Sequence, residues 1–568
     1  MSKEKEVFSI CDLKDMLIKT GEAYGDKDAY IIKQKDGSYI TFTHKQVREM
    51  IDALGTALID LGLKGKRIAV IGENRYEWQI AYLAVVCGVG TVVPLDKSLP
   101  ENELKRLIER SEVEAIFFTE KNEEKLKKIV LSGIGKLKHL ISMDLKENKD
   151  GIYSEKELIE IGKKIIKDGN DEYKKIKINS EEMKIMLFTS GTTSESKVVA
   201  LSHKNIVSNL MGIKEAVNVN SDDRFLSFLP LHHVFECTVG FLLAIYSGAR
   251  IAFCSGIRHI EENLKEYEIT VASFVPAIYE NLYKIIMRRL EKKGKADEFL
   301  SLVQEYEDKS WEEKREKFKI IYDSFGGHSK LFVTGAAAIS PEILRNLRAF
   351  GINLCQAYGL TETSPIVGIE TNENHKLGSI GKTISNVEAK LDDVNEEGIG
   401  ELLVKGPNVM LGYYNNEEAT KEAIDSEGWF HTGDLARIDK DGFIFITGRK
   451  KNVIVLQNGK NIYPEELEVL INKVEGIKES MIYGMPEDGD LTISAKVVYD
   501  KVSMKDVHNL DSKEKIEEFV NEEIKKINKT MPAYKYIRNV MITEEELIKT
   551  TTLKIKRHEE MKKILNAK

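Results

Sequence analysis

The strongest constraint on the fold is the alternation of short β-rich runs with amphipathic helical stretches over much of residues 40 to 440. The run RIAVIGEN at residues 67 to 74, for example, is followed by a helical pattern from Trp78 to Val86. Strands that alternate with helices in this way usually form largely parallel sheets with helices packed on their faces. We therefore predict an α/β fold for most of the chain.

The chain is long enough for more than one domain. Its 568 residues exceed what a single hydrophobic core usually organises. The charged stretch from Arg288 to Lys319 has few apolar residues, and we expect a helical insertion at the surface. Close to the end, Met531 and Pro532 follow apolar residues at helical spacing: Ile516, Phe519, Val520, Ile524 and Ile527. This pattern predicts a small terminal α/β domain.

Composition and charge exclude several classes of protein. Hydrophobic residues make up 42% and charged residues 31% of the chain, which is typical of a soluble globular protein. The 92 acidic and 84 basic residues are mixed along the sequence, so we expect no nucleic-acid partner. The five cysteines are odd in number and form no CxxC pair, which argues against a disulfide framework or a zinc site and fits a reducing cytoplasm.

No segment has the pattern of a secretory signal or a membrane span. The first ten residues, MSKEKEVFSI, lack the apolar core of a secretory signal, and export is not expected. The longest apolar stretch runs from Ile80 to Leu95, is short for a membrane helix, and contains Gly88, Gly90 and Pro94. We interpret it as a buried helix that turns into a strand.

The segment LFTSGTTSESKVV, from Leu187 to Val199, is a candidate phosphate-binding loop. Small hydroxyl residues let backbone amides and side-chain donors surround phosphate oxygens, and Lys197 adds a positive charge. The alternative is an ordinary Ser/Thr turn, which a short motif alone does not exclude. A Walker A motif is excluded because Ser196 occupies the position that requires a second glycine, so a P-loop ATPase is disfavoured.

Three further motifs follow: QAYGLTET at Gln356 to Thr363, GWFHTGDLARIDKDGFIFITGRKKNVI at Gly428 to Ile454, and KTTTLKIKR at Lys549 to Arg557. In order and spacing, the four motifs resemble those of the adenylate-forming (AMP-binding) superfamily, closest to long-chain fatty acid acyl-CoA synthetases. The resemblance spans the chain from about Ile40 to Arg557. It implies a large N-terminal domain of α/β layered sheets plus a distorted β-barrel, with a small mobile C-terminal α/β domain.

The resemblance also implies domain boundaries and a reaction. Residues 1 to 448 would be the AMP-binding domain, residues 449 to 451 a hinge with Lys451 at the pivot, and residues 452 to 568 the mobile domain. The implied reaction uses ATP and Mg²⁺ to convert a carboxylic acid, of medium or long chain, to an acyl-AMP, and then forms a thioester with coenzyme A. A carboxylate is a poor electrophile, so it needs AMP as a leaving group before a thiol can attack.

Most of the implied nucleotide site falls in the first two motifs. Because negative charge gathers on the phosphoryl oxygens in the transition state, cations and donors must be positioned in advance. Glu362 would bind Mg²⁺, which prefers few carboxylates and several waters, and Thr361 would touch the α-phosphate. The β- and γ-phosphates would be held by Thr189, Ser190, Gly191, Thr192, Thr193 and Lys197. The adenine would lie on Tyr358, with neighbours Gln356, Ala357 and Gly359.

The later motifs would supply the ribose site and the main catalytic cation. Asp434 would accept hydrogen bonds from the ribose hydroxyls, and Arg449 would reach the ribose or a phosphate. Lys554 would lie between the substrate carboxylate and the α-phosphate during adenylation. Taken singly, each of these residues also has a purely structural interpretation, such as a solvated acid, a turn residue or an exposed lysine. Their order along the chain favours the catalytic interpretation.

The second half-reaction needs space for a thiol at the place of Lys554. The resemblance implies that the small domain rotates about Lys451, withdraws Lys554 and presents the loop of residues 457 to 460 to the pantetheine arm of coenzyme A. Gly459 would allow close backbone approach. The alternative is that Asn458 and Gly459 only form a hairpin turn.

The acyl group is assigned to the segment LPLHHVFE, Leu229 to Glu236, and to two short segments farther on. His233 stands at the family's gate position, although a lone histidine is more often structural. The small residues expected to line the acyl pocket are Val275, Pro276, Gly335, Ala336 and Ala337. The charged insertion also resembles the long-chain branch of the family.

Departures from the family pattern leave two alternatives. Ser194, Ser196 and Val198 replace Gly, Pro and Gly of the usual phosphate loop, and Leu553 stands where many relatives have glycine. The chain could therefore be a weakened relative that binds nucleotide or lipid as a sensor. It could also deliver the acyl group to an acyl carrier protein in place of coenzyme A. We expect a cytoplasmic protein, with peripheral membrane contact as an open alternative.

Overall fold

The computed structural model describes residues 8–133, 135–189, 197–456, 460–487, 490–550 and 554–566. Contacts between residues divide the chain into two compact units. The large unit contains the described residues of 1–189, 196–388 and 404–430, and the small unit contains those of 389–403 and 431–568. The proposed hinge at residues 449–451 lies inside the small unit, and the division of the chain at this hinge stays a prediction.

The strands are numbered in chain order. They are β1 Asp28–Lys33, β2 Tyr39–Thr43, β3 Arg67–Ile71, β4 Thr91–Leu95, β5 Ala115–Phe118, β6 His139–Ser142, β7 Tyr153–Ser154, β8 Met183–Phe188, β9 Val198–Ser202, β10 Arg224–Ser227, β11 Arg250–Phe253, β12 Val271–Phe274, β13 Leu331–Thr334, β14 Leu354–Gly359, β15 Ile366–Ile369, β16 Lys382–Thr383, β17 Glu388–Asp392, β18 Gly400–Lys405, β19 Gly412–Tyr413, β20 Phe430–Ile438, β21 Ile444–Arg449, β22 Ile454–Val455, β23 Asn461–Ile462, β24 Ile477–Glu487, β25 Asp490–Tyr499 and β26 Asn539–Thr543.

The α-helices are numbered in the same way. They are α1 Leu13–Tyr24, α2 His44–Asp60, α3 Tyr76–Ala84, α4 Glu101–Ser111, α5 Glu123–Leu131, α6 Glu155–Lys167, α7 Glu172–Lys175, α8 His203–Ala216, α9 Leu243–Tyr246, α10 Ile260–Glu266, α11 Pro276–Glu291, α12 Ala296–Ser301, α13 Val303–Tyr306, α14 Trp311–Lys317, α15 Lys319–Ser324, α16 Pro341–Ala349, α17 Glu417–Ala423, α18 Pro464–Ile471, α19 Lys501–His508, α20 Lys513–Lys529 and α21 Arg557–Asn566.

The large unit contains two sheets within the described residues. One has the strand order β16-β15-β14-β13-β12-β10-β11-β1-β2, and the other has the order β19-β9-β8-β4-β3-β5-β6-β7. Their central pairs are parallel, whereas β1–β2, β8–β9, β14–β15, β15–β16 and β19–β9 are antiparallel. The predicted α/β fold, with a large region of largely parallel sheets and a smaller C-terminal region, is confirmed.

The local pattern at residues 67 to 95 folds as predicted. The run RIAVI forms β3, and the helical pattern that follows forms α3, which leads through a π-helical turn at Val85–Val89 into β4. Most side chains from Ile80 to Leu95 are buried, as the apolar character of the stretch requires. Gly90 is needed here because a Cβ on it would lie 1.9 Å from the carbonyl oxygen of Lys66.

The charged insertion forms short helices but is not wholly at the surface. Phe299, Val303 and Phe318 are buried in the large apolar cluster that also contains residues of β12, β13 and α16. The expectation of a surface insertion is therefore only partly correct. Several of the few apolar residues in this stretch reach the core, whereas Leu300 stays 40% exposed.

The small unit contains a four-stranded sheet, β17-β18-β20-β21, and a three-stranded sheet, β24-β25-β26. The resemblance implied a distorted β-barrel within residues 1 to 448; the strands of the four-stranded sheet fall almost entirely in that range, and most of their residues belong to the small unit. Helix α20 buries Ile516, Val520 and Ile524 and ends before Met531. The predicted terminal helix is thus observed with the expected apolar face.

Two features bear on the environment of the protein. Cys11, Cys87, Cys237, Cys254 and Cys355 are all free thiols. Among the residues that the structure describes, no helix combines the length and the apolar character that crossing a bilayer requires.

Candidate active site

The carboxyl ends of four neighbouring parallel strands, β10, β12, β13 and β14, meet at one edge of the larger sheet. The register aligns Phe274 of β12 with Thr334 of β13, and Thr334 with Gln356 of β14. Open α/β sheets usually bind ligands outside the carboxyl ends of their strands. The residues predicted for the acyl and adenine sites come directly after these aligned positions: Val275, Pro276, Gly335, Ala336, Ala337, Ala357, Tyr358 and Gly359.

Gly335 marks the closest approach between these segments. A Cβ on Gly335 would lie 3.1 Å from the carbonyl oxygen of Ala357 and 3.3 Å from a ring carbon of Phe235. The structure therefore brings a predicted acyl-site residue, strand β14 and the LPLHHVFE segment together. The next residue, Ala336, has a φ of 70°, which is rare for alanine and costs about 1–3 kcal/mol, a strain that often occurs at functional sites.

The LPLHHVFE segment follows β10 and contains a buried carboxyl group. His233 lies beside His232, with ring centroids 4.3 Å apart. Glu236 is fully buried, and its Oε1 accepts a hydrogen bond of 2.8 Å from the hydroxyl of Ser227. Its Oε2 makes no hydrogen bond within the part of the chain that the structure describes. Burial raises the pKa of Glu236 to about 8, against the donors from Ser227 and Phe228 that lower it.

This buried carboxyl group predicts a pH dependence of stability. Because the pKa of Glu236 is about 8 in the folded state and 4.5 in the unfolded chain, the folded protein holds this proton more tightly. The stabilisation is complete below the unfolded pKa and is lost as the pH rises through the folded pKa. Between pH 6 and pH 7, we expect the wild type to lose about 1 kcal/mol of unfolding free energy relative to Glu236→Gln. Urea unfolding of both proteins at several pH values measures this difference, and parallel curves would contradict it.

Glu362 lies in the turn Thr361–Thr363, immediately after β14. Its Oε1 accepts a hydrogen bond of 2.9 Å from the phenol hydroxyl of Tyr413. Its Oε2 makes no hydrogen bond or ion pair within the described residues. Among all residues that the structure describes, no group of three or more His, Cys, Asp or Glu side chains could hold a metal ion. One carboxylate with an uncommitted oxygen fits Mg²⁺ that is carried by a nucleotide and retains waters, rather than a cage built by the protein.

The described ends of the candidate phosphate loop are held together. The backbone N–H and the hydroxyl of Thr189 both donate to the carbonyl oxygen of Lys197, at 3.0 and 3.3 Å. The ammonium of Lys197 lies 4.5 Å from the centroid of the Tyr413 ring. Lys197 and Glu362 therefore both contact one tyrosine, and Thr189 is hydrogen-bonded to the backbone of Lys197.

Other predicted residues of this loop lie outside the described residues: Ser190, Gly191, Thr192 and Thr193, with Ser194 and Ser196. Val198, which replaces a glycine of the family pattern, is the first residue of β9 and is buried opposite Phe188 of β8. A β-branched residue suits this strand position.

Tyr413 was missed by the sequence reasoning. The signal available was the pair of tyrosines in LGYYNN, which resembles any short strand before a turn. Its place beside the phosphate loop comes from the antiparallel pairing of β19 with β9, in which Tyr413 faces Val199. That pairing joins residues more than two hundred positions apart and is not readable from local pattern.

The remaining predicted nucleotide residues belong to the small unit. Asp434 of β20 faces Arg449 of β21, and the Nε of Arg449 lies 2.6 Å from Oδ1 of Asp434. Asp434 is 3% exposed, and its backbone N–H donates to the hydroxyl of Thr432. The two residues assigned to the ribose are thus brought together and held in fixed orientation.

Glu401 connects this sheet to the proposed hinge and was also missed. Its carboxylate accepts hydrogen bonds from the ammonium of Lys450 at 2.8 Å and from the backbone N–H of Gly433 at 3.1 Å. It also lies 3.5 Å from the ring of His431. A nearly buried carboxylate therefore holds the HTGD segment next to the GRKK segment.

Lys554 is exposed, and its backbone is hydrogen-bonded to Thr550. Its carbonyl oxygen accepts from the N–H of Thr550 at 2.8 Å, and its own N–H donates to the hydroxyl of Thr550 at 3.1 Å. Lys451 is exposed, yet desolvation by the surrounding protein lowers its pKa, and the positive charges of Arg449 and Lys554 lower it further. Within the small unit, the pivot lysine and the candidate catalytic lysine are therefore close enough to interact.

The loop assigned to coenzyme A is only partly described. Gln457, Asn458 and Gly459 lie outside the described residues. The flanking strands β22 and β23 pair antiparallel, and the N–H of Leu456 donates to the carbonyl oxygen of Lys460 at 3.1 Å. These flanks are paired as the hairpin alternative requires.

Known structures share this fold. ATP-bound MatB from Rhodopseudomonas palustris superposes with a TM-score of 0.76 at 22% identity, covering 97% of this chain and 99% of that chain. The Mycobacterium tuberculosis fatty acyl CoA synthetase gives a TM-score of 0.67 at 20% identity, covering 98% and 99%. At these identities the likeness establishes the fold.

Sequence comparison establishes the family. The human long-chain-fatty-acid–CoA ligase 1 is 31% identical over 80% of this chain and 69% of its own length. Long chain acyl-CoA synthetase 3 of Arabidopsis thaliana is 28% identical over 94% and 87%. The model of AMP-binding enzymes matches residues 18–414, and the model of the AMP-binding enzyme C-terminal domain matches residues 451–564. The chain therefore belongs to the AMP-binding enzyme family.

Proposed function

We propose that this enzyme activates a medium- or long-chain fatty acid as an acyl-adenylate and transfers the acyl group to coenzyme A. In the first step, a carboxylate oxygen attacks the α-phosphorus of ATP, and the bond to the bridging oxygen of the β-phosphate breaks to release pyrophosphate. In the second step, the thiol sulfur attacks the acyl carbon, the thiol proton is lost, and AMP leaves. Membership of the family confirms the predicted class, an AMP-forming acid–thiol ligase that uses ATP, Mg²⁺ and coenzyme A.

The observation that carries the proposal is the grouping of Glu362 and Lys197 around Tyr413, beside the carboxyl end of β14. A carboxylate and an ammonium at this place suit a nucleotide that brings its own metal ion. Mg²⁺, when bound, would neutralise charge on the phosphate oxygens. Glu362 would hold it, and Lys197 with Thr189 would bind the β- and γ-phosphates. Thr361 and Tyr358 would orient the α-phosphate and the adenine.

In the small unit, Asp434 and Arg449 would hold the ribose, and Lys554 would stabilise the negative charge that develops during adenylation. The proposal includes the rotation about Lys451 that exchanges Lys554 for the thiol between the two steps. The positive charge of Lys554 is one of those that lower the pKa of Lys451, which supports the assignment of both lysines to the same part of the small unit.

An apolar acid is supported by the surroundings of the acyl segments. Val275 and Ile339 belong to the large apolar cluster, and Phe235 and Ala336 pack against it. The relatives at 28% to 31% identity are named as long-chain fatty acid ligases. A charged group on the acyl part of the acid would meet no complementary charge among these four side chains, so an aliphatic acyl chain fits best.

The test is pyrophosphate release with Mg-ATP and acids of graded chain length, followed by thioester formation with either coenzyme A or an acyl carrier protein. We expect release with fatty acids, stronger for longer chains than for acetate, and thioester with free coenzyme A. If the thioester forms only with the acyl carrier protein, the proposed acceptor changes from coenzyme A to the carrier protein. Nucleotide binding without any release of pyrophosphate would overturn the proposal in favour of a sensor.

A cytoplasmic location belongs to the same proposal. Free thiols at all five cysteines suit a reducing compartment. A fatty acid substrate partitions into lipid, so peripheral contact with a membrane is the alternative. Flotation of the purified protein with phospholipid vesicles separates the two, because a protein without membrane contact stays in the dense fraction.

A further inference from the structure

Tyr413 touches two groups of the proposed nucleotide site through different parts of its side chain. Its hydroxyl donates to Oε1 of Glu362 at 2.9 Å, and the face of its ring lies 4.5 Å from the ammonium of Lys197. A phenol offers both a hydrogen-bond donor and a π face, which few other side chains combine. One residue thus links the candidate metal ligand to the candidate phosphate-binding lysine.

The backbone around Tyr413 is fixed on both sides. Its N–H donates to the hydroxyl of Thr420 at 2.9 Å. The neighbouring N–H groups of Leu411 and Tyr414 donate to β9, and the N–H of Met410 donates to the carbonyl oxygen of Glu362 at 2.8 Å. Residues 410–414 therefore bridge the phosphate-loop strand and the Glu362 turn, so that the hydroxyl of Tyr413 has a defined position relative to both.

We propose that Tyr413 is a positioning residue that orients Glu362 for Mg²⁺ and holds Lys197 beside it; this inference rests on the proposed function. The hydrogen bond commits Oε1 to Tyr413 and leaves Oε2 for the metal ion that accompanies the nucleotide. Groups that hydrogen-bond a metal ligand fix its orientation, and their removal typically weakens metal binding by about 10- to 100-fold.

The test is the affinity for Mn²⁺, used as a paramagnetic substitute for Mg²⁺, in the presence of a non-hydrolysable ATP analogue, measured by electron paramagnetic resonance. Tyr413→Phe removes the donor and keeps the ring over Lys197. We expect its dissociation constant for Mn²⁺ to rise by about tenfold. The Mg²⁺ concentration that half-saturates pyrophosphate release should rise by a similar factor, while the rate at saturating Mg²⁺ falls less. Tyr413→Leu also removes the ring and should in addition raise the KM for ATP.

Tyr414→Phe is the matched control, because the neighbouring tyrosine makes the same two kinds of contact to a different partner. Its hydroxyl accepts from Arg67 at 2.7 Å, and its ring lies 4.7 Å from the same guanidinium. We expect Mn²⁺ affinity in this variant to match the wild type. An unchanged Mn²⁺ affinity in Tyr413→Phe would overturn the inference, as would equal weakening in Tyr414→Phe.

The metal titration separates this inference from the proposed function. Absence of pyrophosphate release from the wild type with every acid would reject the function. With release observed, a Tyr413→Phe protein that has lower turnover at all Mg²⁺ concentrations and an unchanged Mn²⁺ affinity would reject the inference alone. Thermal unfolding of the variants confirms that they are folded under the conditions of the titration.

Discussion

We expect Lys554→Ala to slow acyl-adenylate formation by about 10²-fold or more, the scale for losing one preorganised donor to a developing charge. The hydrogen bonds between Thr550 and Lys554 use backbone atoms of Lys554, so the substitution leaves them in place. The fold should therefore be unchanged. Exchange of labelled pyrophosphate into ATP, with a fatty acid present, measures the first half-reaction directly.

The second half-reaction provides the internal comparison. Thiolysis of a supplied acyl-adenylate by coenzyme A should be affected much less, since Lys554 is proposed to act only on the phosphoryl transfer. Lys556→Ala is the matched control: Lys556 is partly exposed and pairs with Glu559 at 3.1 Å, and we expect both half-reactions to be unaffected. Equal losses in the two half-reactions of Lys554→Ala would refute the division of labour.

The elements that the sequence predicted well are those whose pattern is local. The run RIAVIGEN and the apolar stretch after Trp78 became β3, α3 and β4 because their periodicity and burial depend on neighbouring residues alone. The apolar face of α20 was predicted for the same reason. The insertion was misjudged as surface because only a few apolar residues, such as Phe318, reach the core, and sparse residues give no clear periodicity.

The candidate site was predicted as a set of motifs but not as a set of contacts. Thr189 with Lys197, and Asp434 with Arg449, are brought together by hairpin strands, and their pairing follows from spacing. The contact of Tyr413 with Glu362 joins two segments that are distant in sequence and meet only through sheet pairing. Glu401 is similar, because its partner Gly433 lies in the neighbouring strand β20 and its partner Lys450 lies in the turn that follows β21. Local pattern carries no signal for such contacts.

The ion pair between Arg348 and Glu370, next to strand β14, illustrates what such long-range contacts contribute. Glu370 is fully buried and lies 2.6 Å from the guanidinium of Arg348, which also donates to the carbonyl oxygen of Leu354. Oε2 of Glu370 accepts from the N–H of Gln356 at 3.0 Å. The pair therefore fixes the start of the QAYG segment, whose carboxyl end holds Tyr358.

We expect Arg348→Ala to lower the unfolding free energy of the large unit by about 3–5 kcal/mol, because it leaves the carboxylate of Glu370 buried without its counter-charge. The three tryptophans, Trp78, Trp311 and Trp429, all lie in the large unit, so tryptophan fluorescence during urea unfolding reports on this unit.

Arg345→Ala is the control on the same helix. Arg345 pairs with Glu307 at the surface, with both side chains more than one-third exposed, and exposed pairs contribute about 0–1 kcal/mol. The difference between the two variants isolates the effect of burial, since both remove one arginine from α16. If the two substitutions cost the same, the ion pair between Arg348 and Glu370 contributes no more than an exposed pair, and it would not be what positions Gln356. Adding Glu370→Gln to the Arg348→Ala variant tests the cause of its loss of stability. If the cause is the uncompensated charge rather than lost packing, the double variant should recover part of the stability.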